Sequence, residues 1–186
     1  MAPVVSACTE KNRKGKRNMQ GYTSANTSIN RTKLPAVYRR VKITAPVVFD
    51  YGCGKYTEHI KEYLRSEYGA VLLPFDPFNQ PRDVNSQSRK YVTNCMDYAL
   101  PVDVICSNVL NVIDSEPSVK TIAWNIQNIV NKTGGTGYIT VYEGDRTGNG
   151  RQTGPDQYQR NEPLRNYLKW FNNATIKNNV IIVKGE

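Results

Sequence analysis

The sequence predicts an α/β protein with a mostly parallel sheet and helices on both faces. Three observations support this fold class. Short apolar runs of strand length recur along the chain and end at polar residues, and segments with apolar residues at helical spacing separate them. A glycine turn at Gly52 and Gly54 joins the first clear strand to a helix. Strands that alternate with helices form βαβ units, which place parallel strands side by side.

The first half of the chain alternates between the two kinds of element. A helix is predicted around residues 34–41, and a buried strand at 47–50 follows and ends at an acid. A second helix at 57–68 can end at Gly69, because glycine readily adopts the left-handed conformation of a helix C-cap. A second short strand, at 70–76, also ends at an acid.

The next region is less regular. Residues 78–90 are polar and lack apolar periodicity, so we expect a loop where a crossover helix would usually lie. Residues 91–97 have a weak strand pattern, whereas residues 102–108 have a strong one.

The second half of the chain repeats the alternation. A helix with Pro117 in its first turn is predicted to end at Gly134. A strand at 137–143 follows, then a helix at 161–171 and a closing strand at 180–183.

The net positive charge of the chain comes from its N-terminal quarter. The net charge is +9; residues 1–46 carry ten Lys or Arg against one acid, whereas residues 47–186 carry fifteen of each sign. A basic segment attracts polyanions through counterion release, and it can equally be a disordered, solubilising tail. We expect residues 1–24 to form a disordered basic arm, a candidate for contact with nucleic acid or a protein partner, and residues 25–186 to form the folded domain.

Composition argues against several classes of protein. No apolar run approaches the roughly 20 residues that cross a bilayer, and the N-terminus has no signal-peptide core. We therefore expect a cytoplasmic protein without membrane contact. The four cysteines lack paired spacing and His59 is the single histidine, so neither a disulfide framework nor a metal site is expected.

The glycine turn does not match the two common phosphate-binding motifs. A P-loop requires Ser or Thr after Lys55, where this chain has Tyr56. A dinucleotide fingerprint requires a third glycine where the chain has Thr57. Asp50 at the turn would also repel a pyrophosphate at close range.

Acids at successive predicted strand ends favour a different cofactor, S-adenosylmethionine, which carries an ammonium and a sulfonium but no phosphate. In open α/β sheets, ligands bind outside the carboxyl ends of the strands. There Asp50 would hold the amino-acid end of the cofactor, and the carboxylate of Asp76 would accept hydrogen bonds from both ribose hydroxyls. Asp97, which follows Met96, would accept a hydrogen bond from the adenine amino group.

The same residues resemble a known family. Residues 50–54, Asp-Tyr-Gly-Cys-Gly, resemble motif I of the class I S-adenosylmethionine-dependent methyltransferases, written D-x-G-x-G-x-G. Residues 26–34, 51–54, 75–77 and 109–113 together resemble the methyltransferase family encoded beside DNA-phosphorothioation genes, with its phage relatives. The resemblance covers residues 25–170 and implies a Rossmann-like methyltransferase fold, reduced in size. It also implies that the protein acts in the cytoplasm of a bacterial or phage-infected cell.

The resemblance and the strand-end pattern together give a set of cofactor-binding candidates. They are Asp50, Tyr51, Gly52, Cys53, Gly54, Asp76, Pro77, Met96, Asp97, Asn108 and Leu110. The last glycine of motif I is replaced by Tyr56, a side chain that would crowd the methionine end of the cofactor or cover it.

The methyl acceptor is less constrained. After the 102–108 strand the chain has neither the Pro-Pro motif of amino-directed nucleic-acid methyltransferases nor a Pro-Cys nucleophile, so no catalytic residue is assigned. The segment after the 137–143 strand is rich in glycine and arginine and would lie on the ligand side of the sheet. It supplies most of the substrate-binding candidates: Tyr142, Glu143, Arg146, Arg151, Tyr158 and Arg160.

Three functions remain open. The chain is a methyltransferase with nucleic acid as the first expected substrate, a module that binds S-adenosylmethionine without transferring its methyl group, or an enzyme that degrades this cofactor. The second and third would act through partner or nucleic-acid binding.

Overall fold

A computed structural model of the protein describes residues 20–27 and 31–186. Six strands form one mixed sheet: β1 (Val47–Tyr51), β2 (Val71–Phe75), β3 (Val102–Ser107), β4 (Gly137–Thr140), β7 (Ala174–Lys177) and β8 (Val180–Val183). Their order is β2-β1-β3-β4-β8-β7; β1 to β4 are parallel, and β8 is antiparallel to β4 and to β7. A separate hairpin joins β5 (Arg151–Gly154) and β6 (Gln157–Gln159).

Helices cover both faces of the sheet. The α-helices are α1 (Ala36–Arg40), α2 (Glu58–Tyr68), α3 (Arg82–Asp97) and α4 (Glu116–Thr133). Short 3₁₀ helices lie at Ala25–Thr27, Leu110–Val112 and Leu164–Trp170. One apolar cluster packs α1 and α2 against the sheet, and a second packs α3, α4 and the last 3₁₀ helix. The predicted α/β class, with a mostly parallel sheet and helices on both faces, is therefore confirmed.

The ends of α2 and α4 follow the caps that the sequence predicts. Each helix ends at a glycine in the left-handed region, Gly69 with φ 64° and Gly134 with φ 68°. At the start of α4, the Ser115 hydroxyl accepts a hydrogen bond from the N–H of Ser118 at 3.4 Å. These local signals fix both helices to within one or two residues of their predicted bounds.

The prediction of a loop at 78–90 holds only for residues 78–81, and the prediction of a strand at 91–97 is wrong. Helix α3 covers residues 82–97 and directs Ser88, Val92 and Cys95 at the sheet, a helical spacing that its polar first member conceals. The Ser88 hydroxyl donates to the carbonyl of Pro74 at 2.7 Å, so a polar side chain is accommodated in this buried position.

Other bounds also differ from the sequence predictions. The 137–143 strand ends at Thr140, because the chain turns away before the hairpin. The helix predicted at 161–171 is the 3₁₀ helix Leu164–Trp170, which follows Pro163. Strand β7 was not anticipated; it forms the edge of the sheet and is mostly exposed, so it lacks the buried, apolar pattern of the inner strands.

The boundary predicted between arm and domain at residue 24 also needs correction. The N–H of Gly21 donates to the Asp114 carboxylate at 3.0 Å, and the N–H of Thr23 donates to Asp156 at 2.8 Å. Ser24 is buried. The folded domain therefore includes residues 20–24; the expectation of disorder for residues 1–19 lies outside the described part of the chain.

Within the described ranges, no helix combines the length and the apolar character required to cross a bilayer.

Candidate functional site

A cavity of about 260 Å³ opens at the carboxyl ends of β1, β2 and β3. Strand β2 lies on one side of β1 in the sheet. The chain then returns to β3, which lies on the other side of β1. Such a reversal leaves a crevice between the two neighbouring strand ends, which is where open α/β sheets bind ligands. The fold therefore places this cavity where a ligand site is expected.

Asp50 is the buried acid at the base of the cavity. It lies near the end of β1 with 3% of its surface exposed, and the Tyr38 hydroxyl of α1 donates to its Oδ2 at 2.6 Å. Burial raises the pKa of Asp50 from 3.8 to about 7; the Tyr38 hydrogen bond acts in the opposite direction, and the nearby Asp76 raises the pKa further. A bound cation would therefore stabilise a carboxylate that is costly to ionise in the free protein.

The glycine turn uses its backbone donors on the last residue of β2 and on the acid that follows it. The N–H groups of Gly52 and Cys53 donate to the carbonyl of Phe75 at 2.7 and 3.3 Å. The N–H of Gly54 donates to Oδ2 of Asp76 at 3.0 Å. Because these donors are already used, the turn does not provide the free N–H groups that cradle a phosphate.

Asp76 is the structural anchor of this region. Its Oδ2 accepts from the N–H of Gly54 and from the side-chain amide of Asn79, and its Oδ1 accepts from the N–H groups of Phe78 and Asn79, at 2.9 to 3.2 Å. Two carboxylate oxygens accept about four hydrogen bonds in total, so the acceptor capacity of Asp76 is filled. The predicted role of Asp76 as acceptor for both ribose hydroxyls would require some of these bonds to be replaced.

Asn79 adds an acceptor that the sequence did not reveal. It lines the cavity, and its Oδ1 is buried without a hydrogen-bond partner among the described residues. A buried acceptor without a partner is costly and is often satisfied by a ligand.

Replacing Gly52 by alanine is expected to destabilise the protein and to distort the turn. Gly52 has φ 89°, and a Cβ atom there would lie 2.3 Å from Cγ2 of Val109, which also lines the cavity. Strain and the clash together should lower the free energy of unfolding by about 3 kcal/mol, measured by urea denaturation. Gly69→Ala is the matched control: φ is 64° but the Cβ meets no atom within 4 Å, so a loss of about 1 kcal/mol is expected. Equal losses in the two variants would contradict the close approach to Val109.

Eight of the eleven predicted cofactor residues line the cavity. They are Asp50, Tyr51, Gly52, Cys53, Gly54, Asp76, Pro77 and Asn108. The structure brings these residues together from three separate strand ends.

Met96, Asp97 and Leu110 do not line the cavity, and their placement corrects the prediction. Asp97 is the exposed last residue of α3, a helix that leads from the carboxyl end of β2 to the amino end of β3. It therefore lies at the edge of the sheet opposite the cavity. Met96 packs against the core beneath α3, and Leu110 is fully buried in that core.

The cavity has further walls that the sequence analysis missed. Gln20, Thr23 and Ser24 form one side, and Tyr38 of α1 forms another. The first three lie in a polar stretch without periodicity, so no local signal marks them. Tyr38 is next in sequence to Val37, a residue of the predicted helical face. Its aromatic ring predicts that the side chain is buried, but not that it belongs to a ligand site.

Tyr56, which stands where motif I has its last glycine, lines the cavity as expected from its position. The guanidinium of Arg31 lies 5.4 Å from the centre of its ring. A cation at that distance favours a fixed ring orientation, so Tyr56 contributes a wall in place of the open backbone of a glycine.

A second cavity, of about 440 Å³, lies beside the first, and Val112 lines both. Of the predicted substrate residues, Tyr142, Arg151 and Tyr158 line it.

Glu143, Arg146 and Arg160 do not line the second cavity. Glu143 accepts from the N–H of Leu164 at 2.6 Å and forms an ion pair with Arg146 at 2.6 Å. Arg160 donates to the carbonyl of Ile113 at 3.1 Å and pairs with Glu162 at 2.9 Å. These three residues are engaged in contacts of the surrounding loops, and the structure does not bring them into the second cavity.

A scan against protein-family models, a search of curated proteins and a search of solved structures each found no significant match. The class of ligand is therefore inferred from the residues that line the site. Among the described residues, two buried carboxylates line the first cavity and no Lys or Arg does. Such a site suits a cationic ligand with hydroxyl groups and disfavours a phosphate.

Proposed function

We propose that this protein binds S-adenosylmethionine and is a methyltransferase with a reduced, Rossmann-like methyltransferase fold. One observation carries the proposal: Asp50 is buried at the strand-order reversal, inside a D-x-G-x-G turn, in a cavity that no described Lys or Arg lines. S-adenosylmethionine combines two positive centres, ribose hydroxyls and the absence of phosphate, which matches that environment.

The cavity residues fit this cofactor in three respects. Asp50 faces the site with a raised pKa, so the ammonium group of the ligand would compensate its charge. The unpartnered Oδ1 of Asn79 can accept from a ribose hydroxyl. Asp76 holds the glycine turn and the 78–79 loop in place beneath both.

The protein's contribution to transfer would be alignment. A bound sulfonium supplies an already activated methyl group, so the chain has mainly to orient an acceptor and exclude water. Asn108 is suited to orient the acceptor: it follows β3, has φ 56°, and holds an exposed side chain at the cavity.

Binding without transfer is a second candidate, and Tyr56 is the observation that favours it. Its ring occupies the wall at the position where motif I has glycine. A bulky group there would hold the methionine end of the cofactor while restricting the approach of an acceptor.

Two measurements on the full chain test the proposal. Calorimetry with S-adenosylmethionine and S-adenosylhomocysteine measures binding, and heat from neither would overturn both candidates. Transfer of a radiolabelled methyl group into fractions of a cell extract then separates them: label in any macromolecule supports the methyltransferase, and binding without label supports the module. Breakdown of the cofactor without an acceptor would point instead to a degrading enzyme.

Binding of the cofactor should depend on pH through Asp50. The carboxylate form binds a cation, and with a pKa of about 7 it is depleted by protonation below that pH. The affinity should therefore fall about tenfold for each pH unit below 7 and level off near pH 8. Calorimetry at several pH values in two buffers with different ionisation enthalpies should also reveal proton release on binding. An affinity that is constant between pH 5.5 and 7.5 would contradict the role of Asp50.

A further inference from the structure

We propose that an exposed basic patch around helix α1 binds the phosphate backbone of a nucleic acid beside the cofactor cavity. The patch consists of the cations of residues 31–46, all of them exposed: Arg31, Lys33, Arg39, Arg40 and Lys42. The inference goes beyond the proposed function, because it assigns a partner to a second surface and does not require the bound strand to be the methyl acceptor.

The patch carries the whole net charge of the described part of the chain. Residues 31–46 contain these five cations and no acid, residues 20–27 contain no charged side chain, and residues 47–186 contain fifteen charges of each sign. None of the five cations forms an ion pair with a described acid. Exposed cations that lack a paired acid attract a polyanion and release its counterions.

Helix α1 directs the two central cations of the patch at solvent. Arg39 and Arg40 lie three and four residues after Ala36, so these three residues share the exposed face of the helix. Val37 and Tyr38 are buried against the sheet on its other face. Each guanidinium presents a fixed fork of N–H donors, which matches two oxygens of one phosphate.

The patch adjoins the cofactor cavity. Between Lys33 and Arg39 the chain contributes Pro35 and Ala36 to the wall of that cavity. The guanidinium of Arg31 lies 5.4 Å from the centre of the ring that Tyr56 contributes to the same wall. A strand bound to the patch therefore lies beside the cavity, whose own lining contains no described Lys or Arg.

A nucleic acid fits the patch better than a membrane or a protein does. The large apolar side chains of the segment point inward: Val37, Tyr38 and Ile43 are buried, and Leu34 and Val41 pack against the same core. Membrane-surface helices bury exposed apolar side chains in the lipid, and a protein interface has an apolar centre. Interfaces with nucleic acid are instead polar and strongly positive.

The double variant Arg39→Gln, Arg40→Gln tests the proposal in the full chain. Its affinity for a fluorescein-labelled DNA duplex of about 20 base pairs, measured by anisotropy, should fall about tenfold at about 0.1 M salt. The slope of log Kd against log salt concentration should become shallower by about 2, because each lost phosphate contact accounts for about 0.9. Binding of S-adenosylmethionine should not change, since neither arginine lines the cavity.

The double variant Lys120→Gln, Lys132→Gln is the matched control. Both lysines are exposed on α4, which packs on the other face of the sheet. This variant removes the same charge and retains the same residues 1–19, so its duplex affinity and its salt slope should match those of the wild type.

The double variant Lys33→Gln, Lys42→Gln separates lost charge from a disturbed helix. Both lysines belong to the patch but lie outside α1, so the helix keeps its own side chains. Its salt slope should become shallower by about the same amount as for the two arginines. Urea denaturation of each variant checks that the domain is folded.

Two results would overturn the inference. One is the same salt slope in the arginine variant and the α4 control, because binding would then depend on overall charge or on residues 1–19 alone. The other is patch-dependent binding to phosphatidylserine vesicles without patch-dependent binding to the duplex, which would identify a membrane as the partner. Failure of the proposed function is distinguishable: it would appear as absent S-adenosylmethionine binding while the patch-dependent binding of DNA persists.

Discussion

Replacing Asp50 by asparagine should stabilise the protein at pH 8 and greatly weaken cofactor binding. Burial raises the pKa of Asp50 in the folded state to about 7 from an ordinary value of 3.8. The folded state therefore binds the proton more tightly than the unfolded chain, and the free energy of unfolding decreases as the pH rises from about 4 to 7. An amide does not ionise, so it avoids the cost of a buried charge, and its oxygen can still accept the hydrogen bond from the Tyr38 hydroxyl. The gain should reach about 4 kcal/mol at pH 8 and vanish near pH 4.

The same substitution removes the charge that a cationic ligand requires. Losing one partner of a buried, hydrogen-bonded charge pair costs about 3 kcal/mol or more, so affinity for S-adenosylmethionine should fall at least about 100-fold. The variant should therefore be more stable but bind the cofactor much more weakly, as expected where function depends on a group that destabilises the folded protein.

Asp103→Asn provides the control for Asp50→Asn. Asp103 is fully buried at the start of β3, but its carboxylate accepts from the N–H groups of Thr44, Ala45 and Thr136, at 2.7 to 3.1 Å. An amide would direct N–H groups at some of these donors, so this variant should lose about 2 kcal/mol. Urea denaturation at pH 5 and pH 8 measures both variants. A destabilised Asp50→Asn at pH 8 would show that the carboxylate is well compensated in the free protein.

Asp76→Ala is expected both to destabilise the protein and to abolish cofactor binding. It removes the acceptor for four hydrogen bonds that join the glycine turn to the 78–79 loop. Some of the freed donors can reach water, so the total loss should be about 3 kcal/mol rather than the full sum for four buried groups. Cofactor binding should be lost as well, because Gly54 is no longer held.

Stability separates this structural role from a purely ligand-binding one. If Asp76 served only to accept ribose hydroxyls, the variant would denature at the same urea concentration as the wild type and fail only in calorimetry. Asn79→Ala is the complementary variant: it removes the unpartnered Oδ1 together with one of the four donors. It should retain most of the stability and bind the cofactor more weakly.

The parts of the site that the sequence reveals are those with local signals. The strand that ends at Asp50, its glycine turn and the capped helix α2 depend on contacts between near neighbours in the chain. Helix α3 was missed because its buried face includes Ser88, whose hydrogen bond to Pro74 joins residues 14 apart. The saturation of Asp76 was equally invisible, since its first donor comes from Gly54 in another loop.

Distance along the chain explains the remaining omissions. The wall formed by residues 20–24 depends on Asp156, 133 residues from Thr23, and no pattern within the segment encodes that contact. The error at Asp97 followed directly from the strand predicted at 91–97, because a strand and a helix place their last residues at opposite edges of the sheet.

The stacking of Tyr22 on Tyr158 has a consequence for the synthesis of the protein. A ribosome releases the N-terminal segment early, but its aromatic partner and Asp156 emerge only after most of the sheet. The side of the cavity that holds Gln20 and Thr23 can close only then. A nascent chain that already contains β1, β2 and β3 therefore carries Asp50 and the glycine turn, yet the side of the pocket formed by Gln20 and Thr23 is held only once the last quarter is translated.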